Sequence, residues 1–298
     1  MKCTVVIPTY GRKEMLRRCL QAATRQDYAD YEVIVVDDAS PDDTGDMVAT
    51  EFPMVRYIRQ PENRGPAAAR NRGIALATGE VVAFTDDDCL VPPDYVRRLV
   101  EGYARYPQVA GVGGYLEAPE ALMRKNVWAQ YESYVTHRIY GAGPEPYVGG
   151  FECPAGGTNS MSYRREALQA IGGFDEAFPW PGGEDADLKW RVVERGGRLL
   201  YIPLKVLHMQ PYTWAQCWRQ YRTHGRGAVY FERKHYGREP SAGRQLLRLA
   251  ARLARWAPNL WRWGPRLGTI RLLAELADLQ GQWQEARRLR RIQSRCAC

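Results

Sequence analysis

Residues Val81 to Leu90 read Val-Val-Ala-Phe-Thr-Asp-Asp-Asp-Cys-Leu, an apolar run that ends in three consecutive carboxylates. The run is β-branched and aromatic, which predicts a strand buried on both faces. Three adjacent anions repel one another, so a fold that places them at a strand end supplies a counter-charge. Hard divalent cations such as Mg²⁺ or Mn²⁺ favour carboxylate oxygen and bridge carboxylates to phosphates. The stretch is therefore read as a strand that brings a metal and a diphosphate to one point. The alternative is a solvated acidic turn ahead of Pro92-Pro93.

The flanking sequence has an alternating rhythm. Cys3 to Ile7 reads as a buried strand stopped by Pro8-Thr9-Tyr10-Gly11, and Lys13 to Arg25 carries apolar residues at helical spacing. Glu32 to Val36 is a second strand ending in Asp37-Asp38, Asp42 to Phe52 a short helix, and Val55 to Arg59 a third strand. Pro66 opens a helix over Ala67 to Ala77, closed by Gly79. Strands alternating with helices predict an α/β fold with a doubly wound, mostly parallel sheet. Such sheets bind ligands at the carboxyl ends of their strands. Pro8-Thr9-Tyr10, Asp37-Asp38 and Asp86-Asp87-Asp88 then fall along one edge, which favours the ligand reading. No Walker A pattern occurs, and no G-x-G-x-x-G follows the first strand. A P-loop and a nicotinamide or flavin site are thereby disfavoured. What remains is a nucleotide held by carboxylates and metal.

The motifs resemble a known family. Val5-Val6-Ile7-Pro8-Thr9-Tyr10-x-Arg12, Val35-Val36-Asp37-Asp38-Ala39-Ser40, Asn63-Arg64-Gly65-x-x-x-Ala69-Arg70-Asn71-x-Gly73 and Phe84-x-Asp86-Asp87-Asp88 look like the nucleotide-sugar half of a family 2, GT-A fold, inverting glycosyltransferase. Ala155-Gly156-Gly157-Thr158-Asn159 with Tyr163-Arg164-Arg165, then Gly172-Gly173-Phe174-Asp175-Glu176, then Gly183-Glu184-Asp185-x-Asp187-Leu188 resemble its acceptor half. The resemblance covers about residues 1–210, divided near residue 115, and leaves 211–298 as a helical basic tail.

The resemblance implies a role for each matching residue. Asp38 is similar to the family's base-binding aspartate, with Asp37 behind it. Pro8, Thr9, Tyr10 and Arg12 line the nucleoside pocket, Gly65 adjoins it, and Arg70 lies by the diphosphate. Asp86 and Asp88 form the Asp-x-Asp pair, with Asp87 between them on the nucleotide-sugar side. Asp86, Asp88 and His208 are the metal ligands it implies, and Asp185 the catalytic base. On the acceptor side the expectation is Gly157, Trp180 and Glu184. For each of these a bland alternative stands. Gly156-Gly157 suits a tight turn, Trp180 suits packing, and His208 can be an ordinary residue after the run Leu199 to Leu207. Glu184 and Asp187 suit the first turn of a helix, where the macrodipole favours acids. Met123 to Pro154 is aromatic and glycine-hinged, which suits an acceptor lid or a surface loop.

The implied reaction is transfer of a sugar from a nucleoside-diphosphate sugar, UDP-linked by preference, to an acceptor hydroxyl. The acceptor is a glycan, a lipid-linked sugar or a small molecule. One base and no second nucleophilic carboxylate means inversion. A nucleotidyltransferase would also use Asp-rich metal sites, but the sequence has no Gly-rich activating loop near its start and Asp185 would have no role. An inactive sugar-nucleotide-binding scaffold is disfavoured by the intact Asp86, Asp88 and Asp185.

Charge separates the two parts. From Gln210 onward there are 18 Lys and Arg against 5 Asp and Glu, a net of +13 within an overall +8. Arg244, Arg248, Arg252 and Arg255 form one helical stripe, with Leu246, Leu249, Ala250 and Leu253 away from it and Trp256, Trp261 and Trp263 following. That pattern reads as an interfacial helix on an anionic membrane. The alternative is a helix whose apolar face packs on the core and whose arginines stay in water. Nucleic acid is disfavoured, because no known nucleic-acid fold appears and the core is acidic. Seven cysteines without a regular framework predict reduced thiols in a cytosolic protein. Cys3 to Ile7 is too short for a signal h-region. The expected location is the cytoplasm, peripheral on the membrane's inner face.

Overall fold

The computed structural model describes residues 1–178, 182–238 and 241–296. Trp180, expected on the acceptor side, lies outside the described residues. The chain forms two compact units. The first comprises residues 1–119, 133–177 and 185–210, and the second 120–132, 178–184 and 211–298.

The strands are β1 (Cys3–Thr9), β2 (Tyr31–Asp37), β3 (Arg56–Arg59), β4 (Val81–Phe84), β5 (Cys89–Leu90), β6 (Val109–Glu117), β7 (Tyr147–Gly149), β8 (Met161–Arg164) and β9 (Arg198–His208). The helices are α1 (Lys13–Ala23), α2 (Thr44–Glu51), α3 (Pro66–Leu76), α4 (Tyr95–Arg105), α5 (Glu120–Met123), α6 (Val127–Tyr134), α7 (Arg165–Ile171), α8 (Glu184–Glu194), α9 (Trp214–Tyr236) and α10 (Ala242–Cys296).

The sheet runs β3-β2-β1-β4-β8-β6-β9-β5, with β7 paired to β9. Its first four strands are parallel, joined by crossover helices. β1 and β4 are buried along their whole length, as strands covered on both faces must be. Beyond β4 the sheet is mixed. β8 runs antiparallel to β4 and β6, and β9 runs parallel to β6. Following these directions across the sheet, β1, β2, β4, β6 and β9 all end on one edge. β8 starts there, so the residues just before it lie on that edge too.

The stretch Met123 to Pro154 is not an open loop. It holds α6, a π-helical turn at Val135–Ile139, and β7, which is hydrogen-bonded to β9. Pairing with β9 satisfies the backbone of Tyr147–Gly149, which a free loop would leave to water.

In the second unit, α10 is two helices that meet at Gly264. Its first segment, residues 242–263, has the opposite orientation from a helix with a solvated arginine face. Arg248 is bonded to both oxygens of Glu232 at 2.7 and 2.9 Å and to Gln282 at 2.6 Å. Arg252 is bonded to Asp278 and to the carbonyl of Glu275. Arg248 and Arg252 of the stripe therefore face acids of α9 and of the later half of α10, because a guanidinium fork gains more from a fixed carboxylate than from water alone. The leucines are left facing out. Leu246, Leu247 and Leu253 are exposed. Among the described residues no helix is long and apolar enough to cross a membrane.

Candidate active site

The carboxylates gather in the first unit, on the edge where the strands end. β4 stops at Phe84 and β5 turns back at Cys89, paired with His208 of β9. This return holds Asp86, Asp87 and Asp88 at the tip, and Met209 N–H donates to the Asp88 carbonyl at 2.8 Å.

The counter-charge expected for three adjacent anions is supplied by arginine. Arg12 Nη1 bridges Asp87 Oδ1 at 3.0 Å and Asp88 Oδ2 at 2.9 Å. Arg70 Nη2 donates to Asp86 Oδ1 at 2.8 Å, and its guanidinium carbon lies 5.6 Å from the Phe174 ring centre. Arg12, expected to line the nucleoside pocket, is bonded to the carboxylate cluster. Thr9 is tied there as well, donating from Oγ1 to Asp87 Oδ2 at 2.7 Å.

The three aspartates differ sharply. Asp87 is turned inward and buried between Thr9 and Arg12. Burial pushes its carboxyl up to about 7 even with Arg12 pulling against it. Its geometry braces the turn. Burial also acts on Asp88, but His208 and Arg12 outweigh it and hold that carboxyl below its ordinary value. Asp86 keeps the most exposed side chain of the three, at 29% against 6% and 14%.

Asp88 Oδ1 and His208 Nε2 are 3.7 Å apart. One hard oxygen and one imidazole nitrogen suit Mn²⁺ or Mg²⁺ when phosphate oxygens complete the set. Asp86 does not join them. Among the described residues no group of three or more His, Cys, Asp or Glu is placed to hold a metal. Of the expected ligands Asp86, Asp88 and His208, Asp86 is engaged by Arg70, and Asp88 and His208 are the two that stand close together.

Asp38, after β2, is also buried. Its Oδ1 accepts from Gln60 Nε2 at 2.6 Å and Arg64 N–H at 2.8 Å, and its Oδ2 from Gly65 N–H at 2.7 Å. Gly65 has φ +86°, which a side chain would resist. Three of roughly four acceptor positions on the carboxylate are filled by these donors. Asp37 is fully buried and accepts from Ser40 N–H, Tyr57 Oη and Arg59, so it fixes the turn. Pro8 is buried inside β1, whereas Tyr10 is exposed beyond it.

On the acceptor side, Asp185 sits in the first turn of α8, its Oδ1 accepting from Ala186 N–H at 2.8 Å. Burial pushes its carboxyl up, the Ala186 N–H and the Arg70 charge pull partly against this, and the Asp86 charge adds to the rise. Asp185 therefore stands within electrostatic reach of Arg70 and Asp86. Gly157 lies on the segment entering β8, where the Asn159 carbonyl accepts from Thr85 Oγ1 at 3.2 Å. Glu184 belongs to the second unit. It is buried and its Oε2 accepts from Gly182 N–H at 2.6 Å, so it braces its own loop.

Two residues were missed from sequence. Lys189 lies one turn after Asp185 on the same face of α8. Its Nζ donates to the Cys153 carbonyl at 2.6 Å and lies 5.3 Å from the Phe151 ring centre. Phe174 packs edge-on to Phe84 with centroids 5.4 Å apart and backs Arg70. Its place in Gly-Gly-Phe-Asp-Glu marked it as motif but not as the support of an arginine. Asn71 clamps that loop, bonding Phe174 N–H at 2.7 Å and Phe174 O at 2.9 Å.

Solved glycosyltransferases share this architecture, the GT-A fold. One is the mannosyltransferase PcManGT of Pyrobaculum calidifontis, solved with GDP-Man and Mn²⁺. It superposes with a TM-score of 0.65 at 21% identity, over 95% of this chain and 86% of its own. GalNAc-T7, solved with UDP, GalNAc and Mn²⁺, gives 0.55 at 17% identity over 78% and 50%. Among curated proteins, the pre-mycofactocin glycosyltransferase of Mycobacterium tuberculosis is 32% identical over 209 residues, which are 68% of this chain and 42% of that protein. The glucosyl-dolichyl phosphate glucuronosyltransferase of Haloferax volcanii is 30% identical over 216 residues, 67% of this chain and 66% of its own. The chain thus spans less than half the length of its mycobacterial relative. The profile described as Glycosyl transferase family 2 matches residues 4–172, and this chain belongs to that family.

Proposed function

We propose that this protein transfers a sugar from a nucleoside-diphosphate sugar to an acceptor hydroxyl with inversion, using a divalent cation. One observation carries the reading. Asp185, in the first turn of α8, stands within electrostatic reach of Arg70 and Asp86, and Asp88 of the same acidic turn as Asp86 pairs with His208. A base, a phosphate-type arginine fork and a cation site in one place suit displacement at an anomeric carbon.

Asp185 takes the proton of the acceptor hydroxyl. The oxygen forms its bond to the anomeric carbon opposite the diphosphate, and the old carbon–oxygen bond breaks with its electron pair kept by the diphosphate. The raised carboxyl of Asp185 makes it a better-matched base near neutral pH than a solvated aspartate. Single displacement inverts the centre. Arg70 offers its fork to the departing phosphates. Asp88 and His208 would hold the cation, which when bound neutralises charge on the leaving group as a Lewis acid. Asp38 has room for about one further donor, which suits the single ring N–H of uracil and supports a UDP-linked donor. Lipid-linked or polysaccharide acceptors in cell-surface synthesis fit the reading. Five described cysteines are free and buried, which supports a reducing, cytoplasmic setting.

The test is Asp185→Asn assayed with labelled nucleotide sugars and Mn²⁺. Transfer should fall about 10²–10⁴-fold, with nucleotide affinity kept. Transfer within threefold of the parent would end this assignment.

A further inference from the structure

The first segment of α10 leaves a large apolar face outward within its own unit. Leu246 is 59% exposed, Leu247 73%, Leu253 49%, Trp256 39% and Trp261 91%. At 100° per residue these fall on one broad side, while buried Gln245 and the paired Arg248 and Arg252 fall on the other. Soluble proteins rarely leave so many large apolar side chains together without a partner.

The rim and the sequence identify that partner. Arg255 and Arg262 in this segment, and Arg266 just after it, are exposed. From Ser241 to Ala274 the chain has no Asp or Glu. A second copy would bring this basic surface against itself, which like charges oppose. An anionic bilayer matches both parts, with acyl chains for leucine and tryptophan and headgroups for the arginines. A helix of about 22 residues is roughly 30 Å long, enough to lie along the interface. We infer that residues 242–263 dock the protein on an anionic membrane through this outward Leu/Trp face, with the exposed arginines at the headgroups. The sequence pattern alone assigned the whole arginine stripe to the lipid. The structure gives Arg248 and Arg252 to internal carboxylates instead. This inference rests on the helix surface and is independent of the transferase reading.

Co-sedimentation of the full chain with phosphatidylglycerol/phosphatidylcholine vesicles tests it, with size-exclusion chromatography in parallel. The parent should sediment at low salt and be released at least tenfold as salt rises, because the headgroup attraction is screened. The double variant Leu247→Glu/Trp261→Glu should remain in the supernatant. Leu247→Ala/Trp261→Ala should bind on the order of tenfold more weakly, and equal melting temperatures check that both variants fold. Three results would overturn the inference: a parent that stays in the supernatant at low salt, a glutamate variant that sediments like the parent, or a parent dimer that the variant breaks without any vesicle binding.

Discussion

Replacing Asp87 with asparagine tests whether burial governs the middle aspartate. In the fold its carboxyl rises from 3.8 to about 7, first because it is buried and despite the Arg12 charge. A rise of that size is about 4 kcal/mol of lost preference for the charged form. The folded state therefore holds the proton between about pH 4 and 7 while the unfolded chain has released it. Stability contributed by this group falls as pH rises through that window. The substituted amide would carry no charge at any pH, but it can accept from only one of Thr9 and Arg12, which costs roughly 1–2 kcal/mol. Asp87→Asn should then be about 2 kcal/mol more stable than the parent at pH 8 and no more stable at pH 5. Urea unfolding at several pH values with a chelator present reads this out as variant minus parent, which cancels the other titrating groups. A difference that stays constant from pH 5 to pH 8 would refute the reasoning.

Other expectations follow from the same contacts. Asp88→Asn should weaken Mn²⁺-dependent nucleoside-diphosphate binding by about tenfold or more, roughly the value of one charged contact, measured by calorimetry. Arg70→Lys loses the fork on Asp86 and the stack on Phe174, so kcat/KM should fall by about 10- to 100-fold with the melting temperature little changed. Lys189→Met frees the Cys153 carbonyl and removes the ammonium one turn after Asp185. It should lower kcat by about tenfold with donor KM unchanged, and Lys189→Arg should recover part of the loss. Arg248→Ala leaves Glu232 without its fork and should destabilise by about 1–2 kcal/mol, read by chemical denaturation.

In the parallel half of the sheet, β1, β2 and β4 were legible because each is an apolar run rich in β-branched residues with a polar stop. Val33 to Val36 and Val81 to Phe84 are such cases. β6 was not read, and its composition explains why. Val109–Glu117 carries glycines at 111, 113 and 114 that break the apolar pattern. They are there for space, since a Cβ on Gly114 would meet the Leu204 carbonyl oxygen at 2.0 Å. The acidic residues of the site were legible as types, but not which way each faces. Nothing in Asp-Asp-Asp says that the middle one turns to Thr9 and the first to Arg70. Those choices depend on residues more than 15 positions away. The tail misled for a related reason. Helical spacing showed that arginines and leucines occupy opposite sides, but it could not show which side Glu232 and Asp278 would claim.

The antiparallel seam between β4 and β8 has a consequence during synthesis. β4 is complete once Phe84 leaves the ribosome, but the strand that covers its open side begins at Met161, about 80 residues later. At roughly 5–20 residues per second, that edge waits about 4 to 16 s for its partner. It is a buried-type strand, Val-Val-Ala-Phe, with no charge to blunt it, and such edges recruit other chains. The nascent protein thus passes through a window in which Val81 to Phe84 presents an unpaired apolar edge, and slower translation between residues 85 and 160 would lengthen that window.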